Sequence, residues 1–212
     1  MANYLRRLGT RFALLAAIPA IVGFVSSWSA GLGFLLFILA IPAAVLILLT
    51  YGLVSFVRGI QLGRQVETPR EKTLVIAAAP VGLACTLALA WPLLGAGSFG
   101  GSLSRLLVNQ RKYEAIIRKA QSHPRPDWFA KDEGVTYSVD VGPPVRVAFN
   151  PAGMLDNWSG IIYDPTGDVM LAKGFDPKSG QFLAPDRITK LFNGDLVGCR
   201  RLWGSYYDCS FT

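Results

Sequence analysis

The sequence predicts a membrane-anchored α+β protein: three transmembrane helices, then an antiparallel β-rich domain that carries an amphipathic helix. Three observations carry this expectation. Two long runs, Phe12–Val57 and Thr73–Ser104, contain no charged residue. From Gly134 onward the apolar residues fall into short runs broken by turn residues, the pattern of strands. Two of the three cysteines, Cys199 and Cys209, stand symmetrically about Gly204. The composition agrees: 51% of the 212 residues are hydrophobic, 17% are charged, and the mean hydropathy is +0.37. That balance is ordinary for an integral membrane protein and uncommon for a soluble one.

The helices come first. A hydrocarbon core about 30 Å thick takes about 20 residues of helix, so the first run holds two crossings and the second holds one. The stretch "SSWSAGLG", Ser26–Gly33, clusters serine and glycine and divides the first run, with Trp28 suited to an interface. Helices are expected at about 11–27, 32–57 and 74–94, within a transmembrane region of residues 1–98. A hairpin that dips into the bilayer without crossing is the alternative. Arg6, Arg7 and Arg11 before an apolar run also resemble a signal peptide. A second span follows at once, however, and Trp28 breaks the small-residue pattern a peptidase needs, so an uncleaved anchor is expected. Past Arg11 the spans hold no Asp, Glu, Lys, Arg or His, which argues against a transporter, pump or proton relay. Pro19, Pro42, Pro80 and Pro92 lie among the small-residue runs "AAIPAIVG", "AIPAA" and "AAAPVGLA". Such runs let helices approach closely, either among these three or against other membrane subunits.

Orientation follows from charge. Arg6, Arg7 and Arg11 precede the first span, and Arg58, Arg64, Arg70 and Lys72 lie between the second and third. The positive-inside rule puts both groups in the cytoplasm. Arg105, Arg111, Lys112, Arg118 and Lys119 follow the third span, but long translocated domains are largely exempt from the rule. The expectation is a bacterial inner membrane, a cytoplasmic N-terminus and a periplasmic C-terminal domain.

"GAGSFGGS", Gly95–Ser102, reads as a flexible break, and residues 99–125 as a linker with an amphipathic helix. Leu103, Leu106, Leu107, Tyr113, Ile116, Ile117 and Ala120 fall at helical spacing, with the five basic residues on the other face. The apolar stripe is expected to pack on the following sheet; lying on anionic headgroups is the alternative. "SHPRPDW" ends the helix through its prolines. Nucleic acid is not an expected partner, because the basic stripe has no accompanying fold signature.

Residues 126–212 are expected to form the β-rich domain, with five to seven antiparallel strands. "VTYSVDV" alternates Val135, Tyr137, Val139 and Val141 on one face, and "VRVAF" follows as the next strand. "GIIYDPTGDVMLA" reads as a hairpin turning at Asp164–Asp168, with Gly167 free to take positive φ. "APDRITKLF" reads as a short helix, closed by Asn193–Gly194, which launches a terminal hairpin. Folded about Gly204, that hairpin sets Cys199 opposite Cys209, where a disulfide forms with little adjustment. A disulfide implies an oxidising compartment. Cys85, inside the third span, reads as a packing residue.

Chemistry is sparse. His123 is the only histidine, so a histidine-based triad or a multi-histidine metal site has no members. Asp156, Asp164 and Asp168 could offer oxygens to calcium or serve a hydrolase, but their spacing is not that of an EF-hand loop. Asn157–Trp158–Ser159 matches a glycosylation acceptor, which matters only on a eukaryotic secretory route. Trp158, Trp203, Tyr206 and Tyr207 are the candidate recognition surface, weighed against ordinary core packing. No catalytic residue, cofactor or metal is assigned. The fourteen basic and twelve acidic residues after position 100 suggest no capture of a highly charged partner. The expected function is therefore non-enzymatic: an accessory or assembly subunit of a larger membrane protein complex, respiratory or photosynthetic, whose partners are the lipid bilayer and other membrane subunits. A membrane-anchored periplasmic sensor or small-ligand-binding module is the alternative.

Overall fold

A computed structural model describes residues 2–154 and 157–212, with the side chains of Ala30 and Met154 left aside. The chain divides into two compact units, Met1–Gly101 and Ser102–Thr212.

The first unit is helical. Helix α1 spans Ala2–Trp28 and α2 spans Ala30–Leu35; a π-helical turn, Leu36–Ala40, leads into α3, Ile41–Gly63. Helix α4 begins at Pro69 and runs to Ser122, 54 residues, so it belongs to both units. Among the described residues three helices are long and apolar enough to cross a membrane: Ala2–Trp28, Gly31–Gly63 and Pro69–Ser122. The break falls where the serines and glycines predict it, with the Ser29 hydroxyl accepting from Leu32 N–H at 3.4 Å to cap α2. The π-turn has a local cause. Pro42 offers no N–H and its ring crowds the preceding turn, and Ile41 N–H reaches back five residues to Leu36 O.

Two sequence expectations need correction here. The helices reach well past 11–27, 32–57 and 74–94, and Gly95–Ser102 is helix rather than flexible linker. The glycines answer to packing instead. A Cβ on Gly97 would overlap the Ala20 carbonyl and one on Gly23 the Leu94 carbonyl, while one on Gly101 would lie 2.5 Å from the Phe24 carbonyl. Gly97 and Gly101 are four apart, the small-xxx-small spacing that lets two helix backbones touch. The Ser27 hydroxyl sits in the same contact, donating to the Ser98 carbonyl at 2.9 Å. Along α3 the buried face is Leu48, Gly52, Ser55, Gly59 and Gly63, and Gly59 meets the Val75 carbonyl in the same manner.

The second unit is a curled antiparallel sheet of seven strands in the order β1-β2-β3-β4-β7-β6-β5. The strands are β1 Asp127–Asp132, β2 Val135–Asp140, β3 Arg146–Met154, β4 Asn157–Tyr163, β5 Lys190–Leu191, β6 Gly194–Trp203 and β7 Tyr206–Phe211. One cross-strand row, Tyr137–Phe149–Ile161–Asp208–Arg200, faces the last part of α4. Tyr113 of that helix stacks on Phe149 with ring centroids 4.0 Å apart, and Asn150 Nδ2 donates to its hydroxyl at 2.9 Å. Leu106, Ile116, Ile117 and Ala120 are buried beside it. The apolar stripe thus packs on the sheet. The polar side is tied to the β1–β2 turn, where Lys112 Nζ donates to the Glu133 carbonyl and Lys119 pairs with Asp132 at 2.9 Å. The opposite face buries Ala148, Ile162, Val169, Ile188, Leu191, Phe192, Leu196, Tyr207, Cys209 and Phe211.

The terminal hairpin forms as expected. Cys199 pairs with Cys209 in register, their Cα atoms 4.1 Å apart, and the two are joined by a disulfide. Its turn is Gly204–Ser205, between Trp203 and Tyr206, and a bulge between Arg201 and Trp203 restores the register that centres on Gly204. Gly204 takes φ +54, a conformation glycine adopts without penalty.

The second expected hairpin does not form. After β4 the chain enters a 3₁₀ turn, Asp168–Leu171, and β4 pairs with β3 and β7 instead. The reason is the Asp164 carboxylate. Wholly buried, it accepts from Thr166 N–H (3.2 Å), Thr166 Oγ1 (2.8 Å) and Val169 N–H (3.1 Å), winding the chain back on itself so that Val169 enters the core. Gly167 does take the left-handed conformation, at φ +77.

Candidate functional site

Two adjoining clefts open on the sheet unit, with volumes of about 390 and about 790 Å³. Trp128, Phe192, Asn193, Gly194 and Asp195 line both. These residues come from β1 and from the β5–β6 turn with the start of β6, the two ends of the strand order, so curling the sheet brings its edges to one cleft.

Local backbone sets the aromatic walls. The pairing of β1 with β2 is irregular between Asp127 and Ala130, and there Phe129 takes φ +46, its N–H donating to Ser138 Oγ at 3.2 Å. Phe129 is 62% exposed and the neighbouring Trp128 is 42% exposed, so neither residue is spent on the core. Across the cleft, Leu191 pairs with Gly194 around a two-residue turn in which Phe192 (φ +52) and Asn193 (φ +56) are both left-handed. Such turns prefer Asn-Gly, and a phenylalanine there is strained. The strain is offset by burial: Phe192 packs edge-on to Trp158 at 6.3 Å and to Phe211 at 6.1 Å, and Trp158 stacks on Phe211 at 3.9 Å. Two bulky residues held at positive φ beside one cleft fit the pattern in which backbone strain gathers at binding sites. Lys190, Asp140 and Asp195 contribute charges of both signs to the smaller cleft.

The four aromatics expected to make a recognition surface are not brought together. Trp158 lines the larger cleft, whereas Trp203 is 67% exposed at the tip of the terminal hairpin. Tyr206 and Tyr207 are buried, successive residues on opposite faces of β7. Burial pushes the Tyr206 phenol up to about 12, with Glu114 adding to the shift. Sequence reading passed over Trp128, Phe129 and Phe192. The adjacent pair of aromatics after "SHPRP" was the available signal there; at Phe192, Asn193–Gly194 signalled a turn, but not that it sits one residue earlier.

Two of the three acids weighed and disfavoured as calcium ligands, Asp164 and Asp168, meet arginines. Arg146, 2% exposed, sets its Nε 3.1 Å from Asp164 Oδ1, a charge contact not aligned as a hydrogen bond, and its Nη2 3.7 Å from Asp168. Arg187 Nε donates to Asp168 at 2.8 Å, and that bond holds the Asp168 carboxyl below the usual carboxylate range. A guanidinium therefore occupies the place a cation would take between Asp164 and Asp168. Both Asp164 oxygens are engaged: Oδ1 by Thr166 and the Arg146 charge contact, Oδ2 by Val169 N–H. Asp156 lies outside the described residues. His123 bonds with the neighbouring Ser122 hydroxyl at 3.0 Å. Among the described residues no three His, Cys, Asp or Glu side chains gather as a metal site would require.

Fold and site together define a class: apolar helices with an exposed apolar exterior, continued in one chain by a disulfide-closed antiparallel sheet with an aromatic cleft. Compared with protein-family models, curated proteins and solved structures, the chain finds no match.

Proposed function

We propose that this chain is a non-enzymatic accessory subunit of a larger bacterial membrane protein complex. Its three apolar helices cross the inner membrane, and its sheet unit, on the periplasmic side, receives an extended segment of a partner polypeptide. The observation that carries this reading is the exposed Trp128–Phe129 pair at the free edge of β1, facing a cleft of peptide-binding size. A free strand edge offers unpaired backbone groups for strand addition, and the aromatics supply anchors beside it. The disulfide supports an oxidising compartment, and the basic residues before α1 and between α3 and α4 support a cytoplasmic N-terminus. The test is purification of the full chain from its native membrane in mild detergent. A stoichiometric partner is expected, and Trp128→Ala with Phe129→Ala is expected to release it. Recovery of the lone chain, or a partner indifferent to both substitutions, would reject the reading.

A second reading, a membrane-anchored small-ligand sensor, is favoured by the cleft volume of about 790 Å³ and its aromatic walls. It predicts ligand-dependent quenching of Trp128 and Trp158 fluorescence without any protein partner.

A further inference from the structure

A cleft of about 240 Å³ lies in the helical unit, between the start of α1 and the second half of α3. Three arginines line it: Arg7, Arg11 and Arg58. Arg7 and Arg11 are one helical turn apart on α1, so they share a face with Tyr4 and Leu8. Arg58 comes from α3, one turn beyond Ser55. The floor is built: Tyr4 OH donates to the Ser55 carbonyl at 2.8 Å, and Leu8 and Ser55 are buried. The Arg11 guanidinium stands 5.6 Å from the Tyr51 ring centroid, a cation–π contact that fixes its position.

Among the described residues no carboxylate lines this cleft. The only acids before position 100 are Glu67 and Glu71. Among the described residues none of the ion pairs includes Arg7, Arg11 or Arg58. The contrast with the sheet unit is direct, since Arg146, Arg187 and Arg200 each face an aspartate there. Three guanidiniums converging on one small cleft without a counter-charge repel one another, and an anion between them removes that repulsion. The planar fork of arginine matches phosphate oxygens two at a time.

The cleft also sits where apolar surface begins. Arg11 is followed by the charge-free run from Phe12, and Arg58 is preceded by exposed Leu53, Val54, Phe56 and Val57 on α3. A molecule with a phosphate head and acyl tails can meet both surfaces at once; free phosphate can meet only the arginines. We propose that Arg7, Arg11 and Arg58 form a binding site for the phosphate headgroup of an anionic phospholipid. The proposal rests on the reading that these helices cross a membrane.

The experiment uses the full chain, purified in mild detergent, stripped of lipid, and examined by native mass spectrometry with phosphatidylglycerol or phosphatidylcholine added. Phosphatidylglycerol is expected to be retained about tenfold better, a preference that the Arg7→Gln, Arg11→Gln, Arg58→Gln variant removes. An Arg64→Gln, Arg70→Gln, Lys72→Gln variant loses the same charge outside the cleft and is expected to change retention less than about twofold. Equal losses in the two variants would overturn the proposal, because bulk charge alone would then explain the binding. If the triple glutamine variant does not purify, Arg11→Gln carries the test with an expected loss of about threefold. Inorganic phosphate is titrated in parallel: occupancy of the arginines by phosphate without lipid preference would also overturn it, assigning the site to a soluble anion. Extraction of the chain from membranes by alkaline carbonate reads the membrane assignment separately, so a failure of that assignment is distinguishable from a failure of the lipid site.

Discussion

The two units of this chain are built inside out with respect to each other. In the sheet unit many large side chains are inside: Tyr113, Phe149, Ile161, Ile162 and Phe211 are each exposed by 1% or less. In the helical unit many large side chains are outside, with Trp91 at 81% and Leu14, Leu46 and Leu53 at 65–66% exposure, while the buried faces carry Gly23, Gly52, Ser55, Gly59 and Gly63. Charge follows the same division. The sheet unit seats Arg146 and Asp164 together in its core, whereas among the described residues no arginine of the helical unit takes part in an ion pair. The difference follows the surroundings that each kind of surface suits, and the exposed apolar helices suggest membrane association. In water, burying large apolar groups is the main drive, and small residues add little to it. Where the surroundings are themselves apolar that drive vanishes, and close backbone contact between small residues takes over.

The comparison breaks most sharply at the buried ion pair. Asp164→Ala leaves Arg146 charged in the core with only the longer contact to Asp168 and unties the loop that seats Val169. A loss of about 3–5 kcal/mol is expected, the range for removing one member of a buried pair. Chemical denaturation of the full chain, followed by tryptophan fluorescence, measures it. A cost below about 1 kcal/mol would show the pair to be peripheral to the sheet unit.

Next in size is the disulfide. Replacing Cys199 and Cys209 together by serine is expected to cost about 2–4 kcal/mol, because the hairpin no longer restrains the unfolded chain. The loss should appear in the sheet unit alone, and reduction of the native chain should reproduce it. If reduction instead loosened the helical unit, the division at Gly101–Ser102 would be wrong.

The helical unit gives the converse test. Gly97→Leu puts a side chain against the Ala20 backbone, an overpacking expected to cost about 1–3 kcal/mol. Gly95→Leu, on the same helix but with no atom within 4 Å of its added Cβ, should stay within about 0.5 kcal/mol. Thermal unfolding in detergent, read by circular dichroism, separates the two variants. Equal melting temperatures would remove the case for backbone contact between α1 and α4.

Sequence reading captured each unit to a different depth. The three long apolar helices, the break at Ser26–Gly33, the amphipathic stripe and the Cys199–Cys209 register were legible, because each is a run, a periodicity or a symmetry that one segment carries alone. Gly95–Ser102 was read wrongly, since glycine signals flexibility locally and close approach only once a second helix is known. The expected hairpin at Asp164–Asp168 failed for a different reason: the turn residues were right, but the buried Asp164 carboxylate binds Thr166 and Val169 and winds the chain back. The candidate cleft was the least legible part. Its walls come from opposite ends of the sheet, and nothing in "DWF" or "LFNG" tells that they meet.

The smallest expected effect concerns Tyr206, the place where the sheet unit's buried polar chemistry titrates. Its phenol, raised by burial to about 12 from an ordinary value of 10.0, stays protonated in the folded chain after it would ionise in the unfolded one. The folded state thus holds the proton more tightly. Its contribution to stability is complete below pH 10 and is lost as pH rises from 10 through 12. At pH 11 the loss is about 1 kcal/mol, one unit of the difference between the two states. Denaturation curves at pH 9 and pH 11 measure it, with Tyr206→Phe as the reference, since that variant keeps the ring and removes the proton. The wild-type chain should weaken more than Tyr206→Phe over this interval. Parallel slopes would mean that the Tyr206 hydroxyl meets water, and that the helix-facing side of the sheet is less closed than its neighbours Tyr113 and Glu114 make it.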